Sequence, residues 1–314
     1  MERIMKRISI FFMTVVLMIT GVFCVPKQAL ADAVIEDEDT KYDRYIAFGQ
    51  DLSQKEKKAV LDGFGITEED LDDYKIVEIT NEEEHEYLGD YIDASVIGKR
   101  ALSSVMIVKT EKNSGIAVTT QNISYCTSGM YCNALITAGL EDAKVTVVGP
   151  FEISGTSALV GAMKAYAEMT GDDISKSTMD TATNELVATA ELADSIGDPK
   201  KAAELIAAVK EKIFADGITT KEDIKEAVEE CSKALEIELS EQQVNDITNL
   251  MEKISKEDID VDSLRAQAEE IYEGLKEAGL DFSKVDTEGL VEKVGSFFTD
   301  IFSAIGEFFT GLFG

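Results

Sequence analysis

The sequence predicts an α+β protein in which a mixed-sheet α+β domain precedes an α-helical bundle and an amphipathic C-terminal helix. Short β-branched runs alternate with helical patterns up to about residue 169, and beyond it the strand signal disappears. Apolar residues then recur at the helical period, with glycines at the ends of the periodic segments. The alternation in the first part favours a mixed or mostly antiparallel sheet. The predicted divisions are residues 1–31, 32–40, 41–169, 170–282 and 283–314.

The first half of the predicted sheet domain contains two strands, each followed by a helix. Residues 42–48 are typical of a strand, and a helix then begins at a serine cap and ends at a glycine over residues 53–65. Residues 75–80 alternate as a half-buried strand does, and an acidic helix is predicted over residues 81–89. His85, the only histidine, lies in that acidic run, and we interpret it as a solvated side chain.

The second half of this domain begins with a predicted β-hairpin. Residues 101–109 and 115–125 are β-branched runs, and the Asn-Ser-Gly sequence at 113–115 favours the positive φ angles of a hairpin turn. Turn and cap residues then delimit three further elements. These are a helix over residues 128–139, a strand over 143–148 that ends at a Gly-Pro pair, and a helix over 156–169.

The predicted bundle consists of amphipathic helices. Glu and Lys lie opposite Leu, Ile, Val and Ala, so the charged runs are interpreted as solvated faces. Pro199 lies at a helix start, where its missing N–H is not needed. The helices are predicted at about residues 180–196, 199–215, 220–239, 241–254 and 261–277.

The C-terminal segment, residues 289–314, has one apolar helical face rich in phenylalanine. Burial of a large apolar side chain is worth about 1.5–3 kcal/mol, so leaving this face in water forgoes on the order of 10 kcal/mol. The rest of the chain, a second copy or another protein partner, or a membrane interface could cover it. Interrupting charges exclude an ordinary membrane-spanning helix. The predicted interaction surface consists of Phe297, Phe298, Ile301, Ile305, Phe308, Phe309 and Leu312.

The N-terminus resembles a secretory signal peptide. A basic start precedes an uncharged run over residues 8–25, and an Ala-Leu-Ala sequence ending at Ala31 suits signal peptidase. We therefore expect cleavage before Asp32 and a protein that is secreted or held at the extracytoplasmic envelope. An uncleaved anchor and a lipoprotein attached through Cys24 are alternatives, although the uncharged run barely reaches spanning length and Phe23 is bulky for a lipoprotein signal.

The mature chain is strongly acidic. Removal of residues 1–31 takes away four basic residues and one acidic residue, leaving 26 basic against 60 acidic residues. Such a charge repels phosphate backbones, and there is no basic stripe with interleaved aromatics. We therefore do not expect the protein to bind nucleic acid. The charge suits an extracellular protein that must stay soluble, and it is compatible with cationic partners.

Cysteine usage does not indicate a disulfide framework. Cys126, Cys132 and Cys231 are the only cysteines after residue 31. Cys126 and Cys132 are close enough in sequence to close a small loop as a disulfide, which would leave Cys231 as an odd thiol. Alternatively, all three are small buried apolar residues.

No cofactor is predicted, and calcium is the one metal with a partial motif. Asp258, Asp260, Asp262 and Glu269 fit positions of a calcium loop, but Ser263 replaces the glycine of the sharp turn. Helix capping explains the same residues. With a single histidine, a histidine-rich zinc site cannot form.

Catalytic motifs of the common enzyme classes are absent from the sequence, which favours a non-enzymatic protein. Ser154, Gly155, Thr156 and Ser157 join a predicted strand to a helix and could cradle an anion, although a helix N-cap explains the same residues and is the favoured interpretation. An envelope hydrolase is the alternative reading, and it predicts two close carboxylates of perturbed acidity in a concave site of the α+β domain.

Residues 44–166 resemble the YpuA-like family of exported Gram-positive proteins. The resemblance is carried by residues 48–65, 80–92, 98–105 and, most specifically, 122–166, with MY at 130–131, NAL at 133–135, TAG at 137–139, PF at 150–151 and SGT at 154–156. The family is known as a domain of unknown function, so the resemblance implies no catalytic residue. We therefore expect an exported binding or interaction protein that uses its amphipathic C-terminal helix.

Overall fold

A mixed five-stranded sheet precedes a series of helices in the computed structural model, which describes residues 43–112, 114–170, 174–259 and 264. The predicted α+β class is confirmed. The strands are β1 (Arg44–Gly49), β2 (Lys75–Ile79), β3 (Ser104–Lys109), β4 (Ile116–Ile123) and β5 (Ala143–Ile153). The helices are α1 (Gln54–Phe64), α2 (Asn81–Leu88), α3 (Ala94–Ile97), α4 (Ser128–Thr137), α5 (Thr156–Thr170), α6 (Lys176–Ile196), α7 (Pro199–Asp216), α8 (Lys221–Ala234) and α9 (Glu241–Ile254), with a 3-10 helix at Glu68–Asp73.

The strand order is β2-β1-β3-β5-β4, and it makes the predicted hairpin wrong. The strands β3 and β4 follow each other in the chain, but β5 lies between them, antiparallel to β3 and parallel to β4. In β5, Val145 and Val147 are fully buried on one face and Val148 on the other, where Lys144 and Thr146 are half-buried rather than exposed. In β4, by contrast, Ala117 and Thr119 are exposed. A strand with apolar residues on both faces suits the interior of a sheet, and an alternating strand suits its edge.

Four of the five strands run in the same direction. The strands β1 and β2 are parallel, β4 and β5 are parallel, and β3 is antiparallel to both of its neighbours. The carboxyl ends of β1, β2, β4 and β5 therefore meet at one edge of the sheet, where β3 begins. The segments that connect the strands at this edge carry several polar side chains.

Side-chain caps fix most helix starts. Ser53 forms a capping box with Glu56, and Thr80 forms one with Glu83, which confirms the predicted starts of α1 and α2. Ser175 caps α6, so this helix begins about one turn before the predicted start. The strand β5 also extends past Pro150, where the register with β4 shifts and a missing N–H is tolerated.

Helices cover the two faces of the sheet unequally. On one face, α5 packs on β1, β2 and β3, and a Cβ at Gly161 would lie 2.9 Å from the Ala47 Cβ, so glycine permits this close approach. On the other face, α1 packs on β5 and forms a small cluster around Phe48, Phe64 and Val148. The main core continues from the sheet through α4 into α6, α7, α8 and α9. The predicted boundary near residue 170 therefore lies within one continuous core.

Several predictions fall on residues outside the described part of the chain. They are the signal peptide, the apolar face of residues 289–314, the helix over 261–277 apart from the buried Leu264, and the calcium-loop positions Asp260, Asp262 and Glu269. Among the described residues, no helix combines the length and the apolar character needed to cross a bilayer.

Candidate functional site

Polar side chains from several connections converge where the four parallel strands end. Glu84 comes from α2 after β2, Ser103 precedes β3, and Ser154, Thr156 and Ser157 follow β5. We call these five residues the strand-end cluster. In open α/β sheets, ligands bind outside the carboxyl ends of the strands, so this edge of the sheet is a candidate ligand-binding site.

Glu84 is the ionisable member of the strand-end cluster, and its side chain is 1% exposed. One carboxylate oxygen accepts a hydrogen bond from the Thr156 hydroxyl at 2.9 Å, and the other accepts one from the Asn81 amide at 3.1 Å. Burial raises the pKa of Glu84 to about 7, helped by the negative charge of Asp51, although both hydrogen bonds and His85 lower it. Glu84 can therefore exchange a proton near neutral pH.

The segment from Ser154 to Thr156 is held by hydrogen bonds to its backbone. The Cys126 N–H donates to the Ser154 carbonyl at 3.1 Å, and the Tyr131 hydroxyl donates to the Gly155 carbonyl. Gly155 has φ +97°, and a Cβ there would lie 2.7 Å from both Ile123 and Tyr131. A glycine is therefore needed, and the segment is fixed in position before any ligand arrives.

The hydroxyls of this segment form a chain that ends at Glu84. The Ser154 and Thr156 hydroxyl oxygens are 3.2 Å apart, and Thr156 donates its hydrogen to Glu84. When Glu84 is ionised, Thr156 gives its one hydrogen to the carboxylate, so Ser154 donates to Thr156. The hydrogen bonds therefore run from Ser154 through Thr156 to Glu84.

Ser103 and Ser157 form the inner part of the strand-end cluster and stabilise the start of α5. The Ser103 hydroxyl accepts the Ala158 N–H at 2.9 Å and lies 2.7 Å from the Ser157 hydroxyl. This pair satisfies one of the N–H groups that a helix leaves without a partner in its first turn. The predicted anion-binding residues 154–157 thus direct two hydroxyls inward, where the Glu84 carboxylate and Ser103 are their partners.

His85 and Cys126 adjoin the strand-end cluster, whereas Cys132 contacts the start of β4. His85 is half-buried, and its Nε2 lies 2.9 Å from the Gly98 carbonyl oxygen, so the prediction of a solvated side chain is wrong. The possible disulfide is absent, because Cys126 and Cys132 are separate buried thiols. Burial raises the pKa of the Cys126 thiol to about 12. The Cys132 thiol donates to the Ile116 carbonyl instead, at 3.6 Å.

A second polar cluster joins α4 to α6 and α7, and we call it the buried ion-pair cluster. The Lys210 ammonium lies 2.8 Å from a Glu185 carboxylate oxygen, and both side chains are 0% exposed. Lys210 also donates to the Asn133 carbonyl at 2.8 Å and to the Thr137 hydroxyl at 3.1 Å, and Thr137 donates to Glu185. Burial raises the pKa of Glu185, although Lys210 opposes this. With its partners in place and no exposed surface, this cluster is structural.

The burial of Lys210 and of Glu84 was not predicted from the sequence, although the spacing of apolar residues gave a signal for Lys210. Lys210 lies four residues after Ile206 and three before Ile213, so it occupies the apolar stripe of α7. The signal for Glu84 is weaker: it lies four residues before the buried Leu88, but its nearest neighbours in sequence are polar or acidic residues of α2. Only the fold brings it beneath the strand ends.

The calcium hypothesis gains no support from the part of the chain that the structure describes. Asp258 is exposed, and the other three candidate ligands lie outside the described residues. Among the residues that are described, no group of three or more His, Cys, Asp or Glu side chains is arranged to hold a metal ion. The adjacent Glu257 has a different role, since it accepts hydrogen bonds from Thr178 and Thr181 in the first turns of α6.

Comparison with known proteins identifies the family. No solved structure shows a significant match to the chain. The "Uncharacterized protein YpuA" of Bacillus subtilis (strain 168) is 40% identical over 287 residues, which cover 91% of this chain and 94% of that protein. Residues 48–271 match the family described as "Protein of unknown function (DUF1002)". Both matches span the strand-end cluster and most of the bundle, and the chain belongs to the DUF1002, YpuA-like family.

Proposed function

We propose that this protein is exported, remains associated with the cell envelope, and binds a partner through the apolar face of residues 289–314. The supporting observation is a contrast in apolar surface. Among the residues that the structure describes, Ile76 and Phe151 are the large apolar side chains that are exposed, and they lie on different strands. For the C-terminal segment the sequence predicts a much larger, phenylalanine-rich apolar face, and a face of that size requires a cover.

The test compares the mature chain with a variant that ends at Asp286. We expect the mature chain to self-associate in light scattering or to co-sediment with phospholipid vesicles, and the shortened variant to do neither. A matched pair keeps the full length: Phe298→Ser with Phe309→Ser removes apolar area from the face, whereas Ser296→Ala with Glu307→Gln changes the opposite face. Equal behaviour of all four proteins would refute the proposal.

One observation favours the second candidate function, an envelope hydrolase with a carboxylate-based site. Glu84 lies at the carboxyl ends of parallel strands, and its pKa of about 7 suits a general acid or base near neutral pH. Asp51, which follows β1, is exposed and lies close enough for its charge to raise the pKa of Glu84. For this candidate function, Glu84 and Asp51 are the two carboxylates that we assign.

The test of this candidate uses the mature chain and a panel of ester, amide and glycoside substrates. We expect turnover of at least one class, which falls by about 100-fold or more in Glu84→Gln, as expected when a general acid or base is removed. Glu86→Gln is the matched control, because Glu86 is an exposed residue of the same helix. Turnover that survives in Glu84→Gln would exclude Glu84 as its acid or base.

A further inference from the structure

We propose that Ser154 is the nucleophile of an acyl-transfer site that acts on esters, with Thr156 relaying its proton to Glu84. This inference rests on the hydrolase candidate and assigns its residues. The hydrogen-bond chain already runs in the required direction, from the Ser154 hydroxyl to the Thr156 hydroxyl and on to the Glu84 carboxylate. A hydroxyl is activated as a nucleophile when a neighbouring base takes its proton.

The burial of the three residues matches their roles. Ser154, at the outer end of the hydrogen-bond chain, is partly exposed and can contact a substrate. Thr156 is 2% exposed and Glu84 is 1% exposed, so the base lies where water does not compete for its proton. Asn81 donates to the second oxygen of Glu84 and fixes the orientation of the carboxylate.

The backbone around Ser154 provides the other requirement, a place for the oxyanion. The Cys126 N–H and the Tyr131 hydroxyl hold the carbonyls of Ser154 and Gly155, so the nucleophile is fixed to the start of α5. The first turn of a helix has N–H groups that no helical carbonyl accepts, and the helix dipole adds positive charge there. In α5 the Ala158 N–H already donates to Ser103, so we assign the oxyanion to the N–H groups that precede it, next to Ser154. Fixed donors of this kind stabilise the negative oxygen that develops during acyl transfer.

The ester and water are the only reactants that the proposed reaction requires. The Ser154 oxygen bonds to the ester carbon while its proton passes to Thr156, and the Thr156 proton passes to Glu84. The electron pair of the carbonyl double bond moves onto the oxygen at the helix start. When that pair returns, the bond to the alcohol breaks, and Thr156 hands the alcohol oxygen a proton and regains one from Glu84. Water then repeats the sequence on the acyl-Ser154 ester and releases the acid.

The test uses a fluorophosphonate probe on the mature chain and follows the labelling rate over a range of pH. The probe phosphonylates an activated serine and releases fluoride. We expect one label on Ser154, found by peptide mass mapping, with a rate that rises with pH and levels off above the pKa of Glu84, because the relay requires the ionised carboxylate. Ser154→Ala removes the label, and Thr156→Val lowers the rate by about 100-fold or more. Thr156→Ser keeps the hydroxyl and restores the rate.

Ser124→Ala is the matched control, since Ser124 is an exposed serine at the same edge of the sheet, and it leaves the labelling rate unchanged. No label on Ser154 at any pH, or a rate that Thr156→Val does not change, overturns the proposal. Ester turnover that persists in Ser154→Ala but is lost in Glu84→Gln overturns the Ser154 assignment and leaves the hydrolase candidate standing. If the mature chain shows neither substrate turnover nor labelling, the Ser154 assignment and the hydrolase candidate are both refuted.

Discussion

Replacing Glu84 with Gln should change how the stability of the protein depends on pH. The folded protein holds the pKa of Glu84 at about 7, whereas the ordinary value is 4.5. A raised pKa means that the folded state binds the proton more tightly than the unfolded state. The resulting stability is fully present below pH 4.5 and is lost as the pH rises through about 7.

The size of the effect follows from the same two values. Each pKa unit corresponds to about 1.4 kcal/mol, so ionising Glu84 in the folded protein costs about 3 kcal/mol at alkaline pH. A glutamine carries no charge and avoids this cost. Between about pH 5 and about pH 8.5, the free energy of unfolding of Glu84→Gln should rise relative to the parent protein by about 2–3 kcal/mol.

Urea unfolding of the parent protein and of Glu84→Gln across this range measures the difference. Glu86→Gln removes the same charge from an exposed position of α2, so its difference from the parent should vary little with pH. If the Glu84→Gln difference stays flat while the control also stays flat, then Glu84 does not bind its proton more tightly in the folded state, and its assigned role at neutral pH loses its basis.

Three further outcomes follow from the packing of the described residues. Lys210→Met leaves the buried carboxylate of Glu185 without its cation and should lower the free energy of unfolding by about 3–5 kcal/mol, and adding Glu185→Leu should recover most of it in urea titrations. Gly161→Val places atoms against the sheet and should destabilise by about 1–3 kcal/mol, so an unchanged unfolding midpoint would contradict the described contact. Cys126 and Cys231, whose pKa burial raises to about 12, should react with a thiol reagent at least about 100-fold more slowly in the native than in the unfolded protein, and fast native labelling would show that they are accessible.

Helix starts were predictable from sequence because the signals act within a few residues. Ser53 and Thr80 cap their helices through the residue three positions later; the Ser53 cap was identified from the local sequence, and the acidic run placed the start of α2 at residue 81. The α+β class was predictable for a related reason, since the period of apolar residues reports the local backbone. These predictions required no knowledge of distant parts of the chain.

Strand pairing and the strand-end cluster were not predictable in the same way. The Asn-Ser-Gly turn favoured a hairpin, but the position of β5 depends on which strand can be buried on both faces, and that is decided across the whole sheet. The hydrogen bond from Thr156 to Glu84 joins residues 72 positions apart in the chain. The sequence indicated Ser154 and Thr156 as candidate anion-binding residues at a helix start. It gave no indication of the carboxylate that completes the chain of hydrogen bonds.

The insertion of β5 between β3 and β4 also affects the order in which the sheet can assemble. During synthesis from the N-terminus, β3 and β4 are both available before β5 exists, and their sequences favour pairing with each other. That pairing would have to separate before β5 could enter. A kinetic trap of this kind predicts slow refolding that accelerates when residues 113–115 are replaced by a sequence that disfavours a tight turn.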